Sequence, residues 1–149
     1  FDVLKYSVDY IENIDIYPDL VVMMEEVYPF RDDKIIDEVI SQLLYSGNDT
    51  IVSSIKEDRD MWYQTRQESE LNLNNDALIP KAIKNESLLS APGFCSATYV
   101  QNARDESLFD KKIGLFKIDN VISSIAISED FDQQIALELF KVWDNLNEK

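Results

Sequence analysis

Apolar residues along this chain recur with two different periods, and the change of period marks out its elements. Residues 20–24, LVVMM, are a continuous apolar run of strand length. Such a run is expected of a strand covered on both faces, and Pro18 disfavours helix at Tyr17 just before it. In RDDKIIDEVISQLLYSG the period becomes helical, with Ile35, Ile36, Val39, Ile40, Leu43 and Leu44 on one face. Asp32 or Asp33 can cap this helix, and Gly47 is placed for its C-terminal turn. DTIVSSIKE then reads as a strand rich in β-branched residues. Strand, helix and strand in that order predict a βαβ unit, whose crossover is right-handed when it joins parallel strands.

The flanks follow the same logic. Residues 2–13 read as a helix, with Val3 or Leu4, then Val8 and Ile11 at helical spacing. GFCSATYV (93–100), KIGLFKID (112–119) and SSIAI (123–127) read as strands, and ARDESLF as a short helix. SEDFDQQIALELFKVWDNL reads as a closing helix with Ser128 as N-cap. Its buried face is Phe131, Ile135, Leu139 and Val142, with Ala136 and Trp143 beside it. Residues 57–90 keep no period. They read as a projecting arm with short strands, or as a plain surface excursion. Met61, Trp62, Tyr63, Leu71, Leu73, Leu78 and Ile79 are many apolar side chains for a solvated loop, so a partner chain is expected to cover some of them. The expected fold is α/β: three layers around a mostly parallel sheet, plus the arm.

Composition narrows the function more than the fold. The 149 residues suit one domain, and 45% hydrophobic content supports a sizeable core. A net charge of -15 argues against a nucleic-acid surface and against an anionic membrane, since both need clustered Lys and Arg. It does not exclude a nucleotide, which a few backbone N–H groups and one Arg can hold. The plainer reading of the charge is solubility. The chain has no histidine, which removes Ser–His–Asp and Cys–His catalysis and histidine-ligated zinc. The single cysteine, Cys95, sits in an apolar run and reads as core. The three glycines form neither GxGxxG nor a Walker loop. No stretch approaches the roughly 18 apolar residues of a membrane span, and no signal peptide is visible, so a cytoplasmic location is the default. The chain opens on Phe1 inside a helical pattern, which suggests a fragment, a processed product or a trimmed chain.

The order of motifs resembles the CMP-sugar-forming cytidylyltransferases, the acylneuraminate cytidylyltransferase family. There a helix leads to a strand ending in a motif like L-L-Q-P-T-S-P-L-R, then an acidic helix and a strand. VLKYSVDYIEN, LVVMMEEVYPFR and DDKIIDEVISQLLYSGNDTIVSSIKE follow that layout. PGFCSATYV looks like the family's later Gly-Ala/Gly-x-Tyr step, and SIAISEDFDQQIA like its I-D-I-D-T-E-E-D-L segment. The likeness covers nearly the whole chain but only about the later two-thirds of the family's domain. It implies an incomplete nucleotidyltransferase-like, Rossmann-type domain over residues 1–149 that lacks the loop gripping CTP phosphates. It also implies a homodimer with an arm, here 57–90, exchanged between subunits.

The resemblance carries residues over unevenly. Its sugar-side Gln falls on Glu25, which accepts hydrogen bonds but cannot donate them. Glu26, Val27 and Tyr28 are changed, while Pro29 and Arg31 match. The expected substrate-binding residues are therefore Arg31, Glu25 and Tyr28. The alternative for Arg31 is a salt bridge to Asp32, Asp33 or a partner chain. The aspartates that hold Mg²⁺ in the family fall on Ala126 and Ser128, neither of which supplies a carboxylate. Glu129, Asp130 and Asp132 read as helix caps rather than metal ligands. No catalytic or metal residue is assigned, and no bound cofactor is expected of this chain. The implied function is transfer of CMP from CTP to an acidic sugar in surface-glycan biosynthesis, with this chain alone inactive. The alternative is a noncatalytic α/β association module that self-associates through residues 57–90. A flavodoxin-like or receiver-like domain fits the βαβ unit, but the acidic cluster and late Lys of receivers have no counterpart.

Overall fold

The computed structural model describes residues 2–57, 61–64, 69–72, 87–109 and 112–147. The chain opens with α1 (Asp2–Glu12), followed by β1 (Leu20–Met23), α2 (Ile35–Ser46) and β2 (Thr50–Glu57). After β2 come β3 (Met61–Gln64), β4 (Ser69–Asn72), β5 (Ser87–Ser90) and β6 (Ser96–Tyr99). The last elements are α3 (Val100–Arg104), β7 (Ile113–Ile118) and α4 (Asp130–Asn147). Among the described residues no helix is long and apolar enough to cross a membrane.

Alternation along the strands builds three layers. In β1, Leu20 and Val22 pack with Ile35, Val39 and Leu43 of α2. Val21, between them, packs with Val8 of α1 and with Val100 and Ala103 of α3. Successive strand residues point to opposite faces, so α2 covers one side of the sheet and α1 with α3 the other. The fold is α/β.

The βαβ unit is present in a modified form. β1 and β2 both run antiparallel to β6, which lies between them, so they are parallel to each other without being neighbours. β2 also pairs with β7 in parallel and with β5 antiparallel. The expectation of a mostly parallel sheet thus holds only for strand direction in β1, β2 and β7. Among the described pairings within this sheet, only that of β2 with β7 is parallel. Apolar runs signal burial but not direction, and β5 and β6 follow one another along β2, both antiparallel to it.

β2 is the strand covered on both faces, with Thr50, Ile51, Val52, Ser53 and Ser54 all buried. β1, the expected buried strand, is half-exposed along its whole length. Ser53 marks a discontinuity. Val52 pairs with Ser96 and Ser54 with Ser90, so Ser53 alone stands opposite residues 91–95. Its carbonyl accepts from Ala91 N–H at 2.7 Å and its N–H donates to the Cys95 carbonyl at 3.2 Å. Pro92, Gly93 and Phe94 are extruded as a large bulge. The strand expected from residue 93 therefore begins only at Ser96.

Other expectations shift in detail. Residues 123–127 form turns and irregular chain, not a strand, although Ile127 N–H still donates to the Val27 carbonyl at 2.8 Å. On α4 the buried face is Ala136 and Trp143 with half-buried Leu139, packed on Phe30, while Ile135 and Val142 are exposed. The Phe131 side chain lies outside the described residues. On α2 Leu44 is exposed, and on α1 Val3 is. The arm contains an antiparallel pair, β3 with β4, in a sheet separate from the main one. Leu73, Leu78 and Ile79 lie outside the described residues.

Candidate functional site

The turn after β1 leaves the sheet at the carboxyl ends of the parallel strands, where ligands gather in α/β folds. Three segments meet there: residues 24–34, the 91–95 bulge and the β7–α4 connection. Glu25 N–H donates to the Gly93 carbonyl at 2.8 Å, which docks the turn on the bulge. The Val27–Ile127 bond docks it on the connection. Phe30 is almost wholly buried and anchors the turn against Trp143, with ring centroids 5.8 Å apart.

Arg31 is the centre of this assembly. Its Nε donates to the Phe94 carbonyl at 2.6 Å, and one terminal nitrogen donates to the carbonyls of Glu25 and, at 3.3 Å, Gly93. Its guanidinium also lies 5.6 Å from the Tyr28 ring centroid and 5.8 Å from that of Phe94. A planar fork of five donors suits such a cluster of carbonyls. The expected alternative, a salt bridge to Asp32 or Asp33, is not how these bonds are made.

The other candidates surround it. Tyr28 is half-buried and meets Phe94 edge-on, with centroids 5.5 Å apart. Glu25 is exposed, and its carboxylate lies over Gly93. A Cβ at Gly93 would fall 2.3 Å from the Glu25 Cδ, so the glycine makes room for that carboxylate. The structure therefore brings Arg31, Glu25 and Tyr28 together against one bulge. The sequence reading missed the bulge itself; the Pro92-Gly93 pair before an apolar run was the signal that could have found it.

Asp32 Oδ1 accepts from Lys34 N–H at 2.9 Å just ahead of α2. That bond, then one from the Asp33 side chain, holds its carboxyl below the ordinary aspartate range. Asp132 Oδ2 reaches back to the N–H groups of Ser128 and Glu129 at 2.9 and 3.0 Å. The cap of α4 is thus the Asp132 side chain rather than that of Ser128. Cys95 is fully buried, and burial raises its thiol pKa, partly opposed by Arg31. It behaves as a core residue.

A cavity of about 230 Å³ opens behind the Phe94 ring, between the start of α2 and the end of β7. Asp32, Glu38, Asp119 and Ser123 are among the polar residues that line it. Among the described residues no three acidic or sulfur side chains stand close enough together to hold a metal ion. With Ala126 and Ser128 at the positions the resemblance gives to Mg²⁺ ligands, the residues present do not fit that ion.

No family model matches the sequence, and no curated protein matches it. The structure is similar to that of 4-diphosphocytidyl-2C-methyl-D-erythritol synthase from Anaerococcus prevotii, with a TM-score of 0.62 and 14% sequence identity. The match covers 91% of this chain and 64% of the other, so this chain spans less than two-thirds of that protein's length. At that identity the likeness establishes a shared fold.

Proposed function

We propose that this chain carries the acceptor side of a cytidylyltransferase site, of the kind that transfers CMP from CTP to an acidic sugar. One observation carries the reading. The turn bearing Glu25, Tyr28 and Arg31 is clasped to the 91–95 bulge at the carboxyl edge of the sheet. The fold there is similar to one whose named product contains a diphosphocytidyl group, which supports a cytidine nucleotide as donor. In this reading Arg31 sets the shape of the turn and Glu25 and Tyr28 meet sugar hydroxyls.

Phosphoryl transfer is mostly positioning and charge neutralisation. Residues 1–149 contain no glycine-rich phosphate loop and no carboxylate at positions 126 and 128. This chain by itself therefore neither holds CTP tightly nor catalyses transfer. Calorimetry with CTP and Mg²⁺ is expected to show no micromolar binding, and saturable micromolar binding would overturn that half of the proposal. Titration with N-acetylneuraminate is expected to shift the Tyr28 and Phe94 ring resonances. If it leaves them unmoved, the acceptor-side assignment falls.

The β3–β4 pair favours a second reading, because it stands outside the main sheet. In it the chain is a homodimeric association module whose contact is the 57–90 arm. Sedimentation equilibrium is expected to show a dimer, and deletion of the arm a monomer.

A further inference from the structure

Given the acceptor-side reading, on which this rests, we infer that Gly93 is a specificity-determining residue: it positions the Glu25 carboxylate to take a pair of sugar hydroxyls and not the sugar's acid group. A Cβ added at Gly93 would overlap the Glu25 Cδ and both carboxylate oxygens. These are its three nearest atoms, and all belong to that one side chain. Gly47 is the glycine with a positive φ, so the backbone at 93 does not itself call for glycine. What calls for it is the space that the carboxylate occupies.

The chemistry on offer there is one-sided. Both backbone groups of Glu25 are bonded, its N–H to the Gly93 carbonyl at 2.8 Å and its own carbonyl to Arg31. Its side chain is exposed, and among the described residues nothing donates to its carboxylate. A carboxylate only accepts, and its two oxygens suit two neighbouring hydroxyls. The cation that an acid group would need is committed elsewhere. Arg31 is the only Lys or Arg in residues 24–33 and in the 91–95 bulge. Its Nε and one terminal nitrogen donate to backbone carbonyls, and its guanidinium lies beside the Tyr28 and Phe94 rings. An acid group brought to this turn meets like charge at Glu25 and Glu26.

Gly93→Ala separates this role from a structural one. Its methyl meets only the far end of a flexible side chain, which can swing clear. The urea unfolding midpoint is therefore expected to stay close to that of the parent chain. The full chain is titrated with N-acetylneuraminate and with its methyl ester, followed by the Tyr28 ring resonances. The ester is expected to bind at least as tightly as the acid. Gly93→Ala and Glu25→Ala are each expected to weaken the ester by about tenfold. The double variant is expected to be no weaker than either, because both changes remove one contact. Unchanged binding in Gly93→Ala, full addition of the two losses, or a clear preference for the acid would overturn the role of Gly93 and leave the acceptor site in place. No shift with either compound in the parent chain would overturn the acceptor-side reading and this role together. If Gly93→Ala loses its cooperative transition, Glu25→Gln carries the test. It keeps the shape of the side chain but exchanges one accepting oxygen for a donor. It is expected to move the preference toward the acid, and an unchanged ratio of acid to ester affinity would overturn the assignment.

Discussion

β1 and β2 exchange the roles their sequences suggest. LVVM is the more apolar strand, yet it is half-exposed at one end of the strand order. TIVSSIKE carries a threonine and two serines, yet its first five residues are buried. The difference is hydrogen bonding. Thr50 donates to the Leu108 carbonyl at 2.9 Å and shares a 2.8 Å bond with Thr98. Ser54 donates to the Phe116 carbonyl at 3.2 Å, and Ser53 to that of Cys95. Asn102 closes the network on Thr98 and on the Asp49 carbonyl. A buried hydroxyl with a partner costs little, so neighbouring strands on both edges make β2 the centre of the sheet. β1 has a single described neighbour, and its apolar residues reach a helix layer without being enclosed by it.

The sharpest way to break that comparison is to truncate one apolar residue in each strand. Ile51→Ala in β2 is expected to cost about 3 kcal/mol, because the site is fully enclosed and cannot collapse. Val22→Ala in β1 is expected to cost about 1 kcal/mol, since solvent already reaches that side chain. Urea unfolding of both variants measures the gap. Equal losses would mean that β1 is covered as deeply as β2.

The next test concerns what ties the exposed end of β1 to the bulge opposite β2. Arg31→Ala removes the donor to the Glu25, Gly93 and Phe94 carbonyls and is expected to destabilise by about 2 kcal/mol. Arg31→Lys should restore less than half of this, because an ammonium lacks the planar fork. An unchanged unfolding midpoint in the alanine variant would free Arg31 for a purely ligand-binding role.

The smallest effect is at the surface. The Asp32 carboxyl titrates below its ordinary value, chiefly because it accepts the Lys34 N–H. A depressed folded-state pKa contributes stability that is present above the unfolded value, near pH 4, and lost as pH falls through the lowered one. Asp32→Asn is therefore expected to flatten the acid limb of the stability profile slightly and leave neutral pH nearly unchanged. An acid limb identical to that of the parent chain would show that the bond does not hold in solution.

The legible parts of this protein were those governed by local periodicity. α1, α2 and α4 lie where the helical spacing put them, and Gly47 ends α2 at a positive φ of 68°. The α/β class and the helix joining two parallel strands follow from the same pattern. Of the candidate site, Arg31, Glu25 and Tyr28 were recognisable as a strand-end cluster. That Arg31 grips carbonyls from residue 93 onward was not, because those partners are more than sixty positions away. The closing helix shows the limit within a single element. Its period was plain, but Phe30, far along the chain, decided that Ala136 and Trp143 rather than Ile135 and Val142 turn inward.

The sequence by itself determined where α1, α2, α4, β1, β2 and β7 form, because these depend on neighbours in the chain, and its lack of histidine removed whole classes of chemistry. Only the tertiary structure decided that β6 separates β1 from β2 and that residues 92–94 are extruded opposite Ser53. Each of those is a matter of which distant groups satisfy a buried hydrogen bond, and no local pattern encodes that.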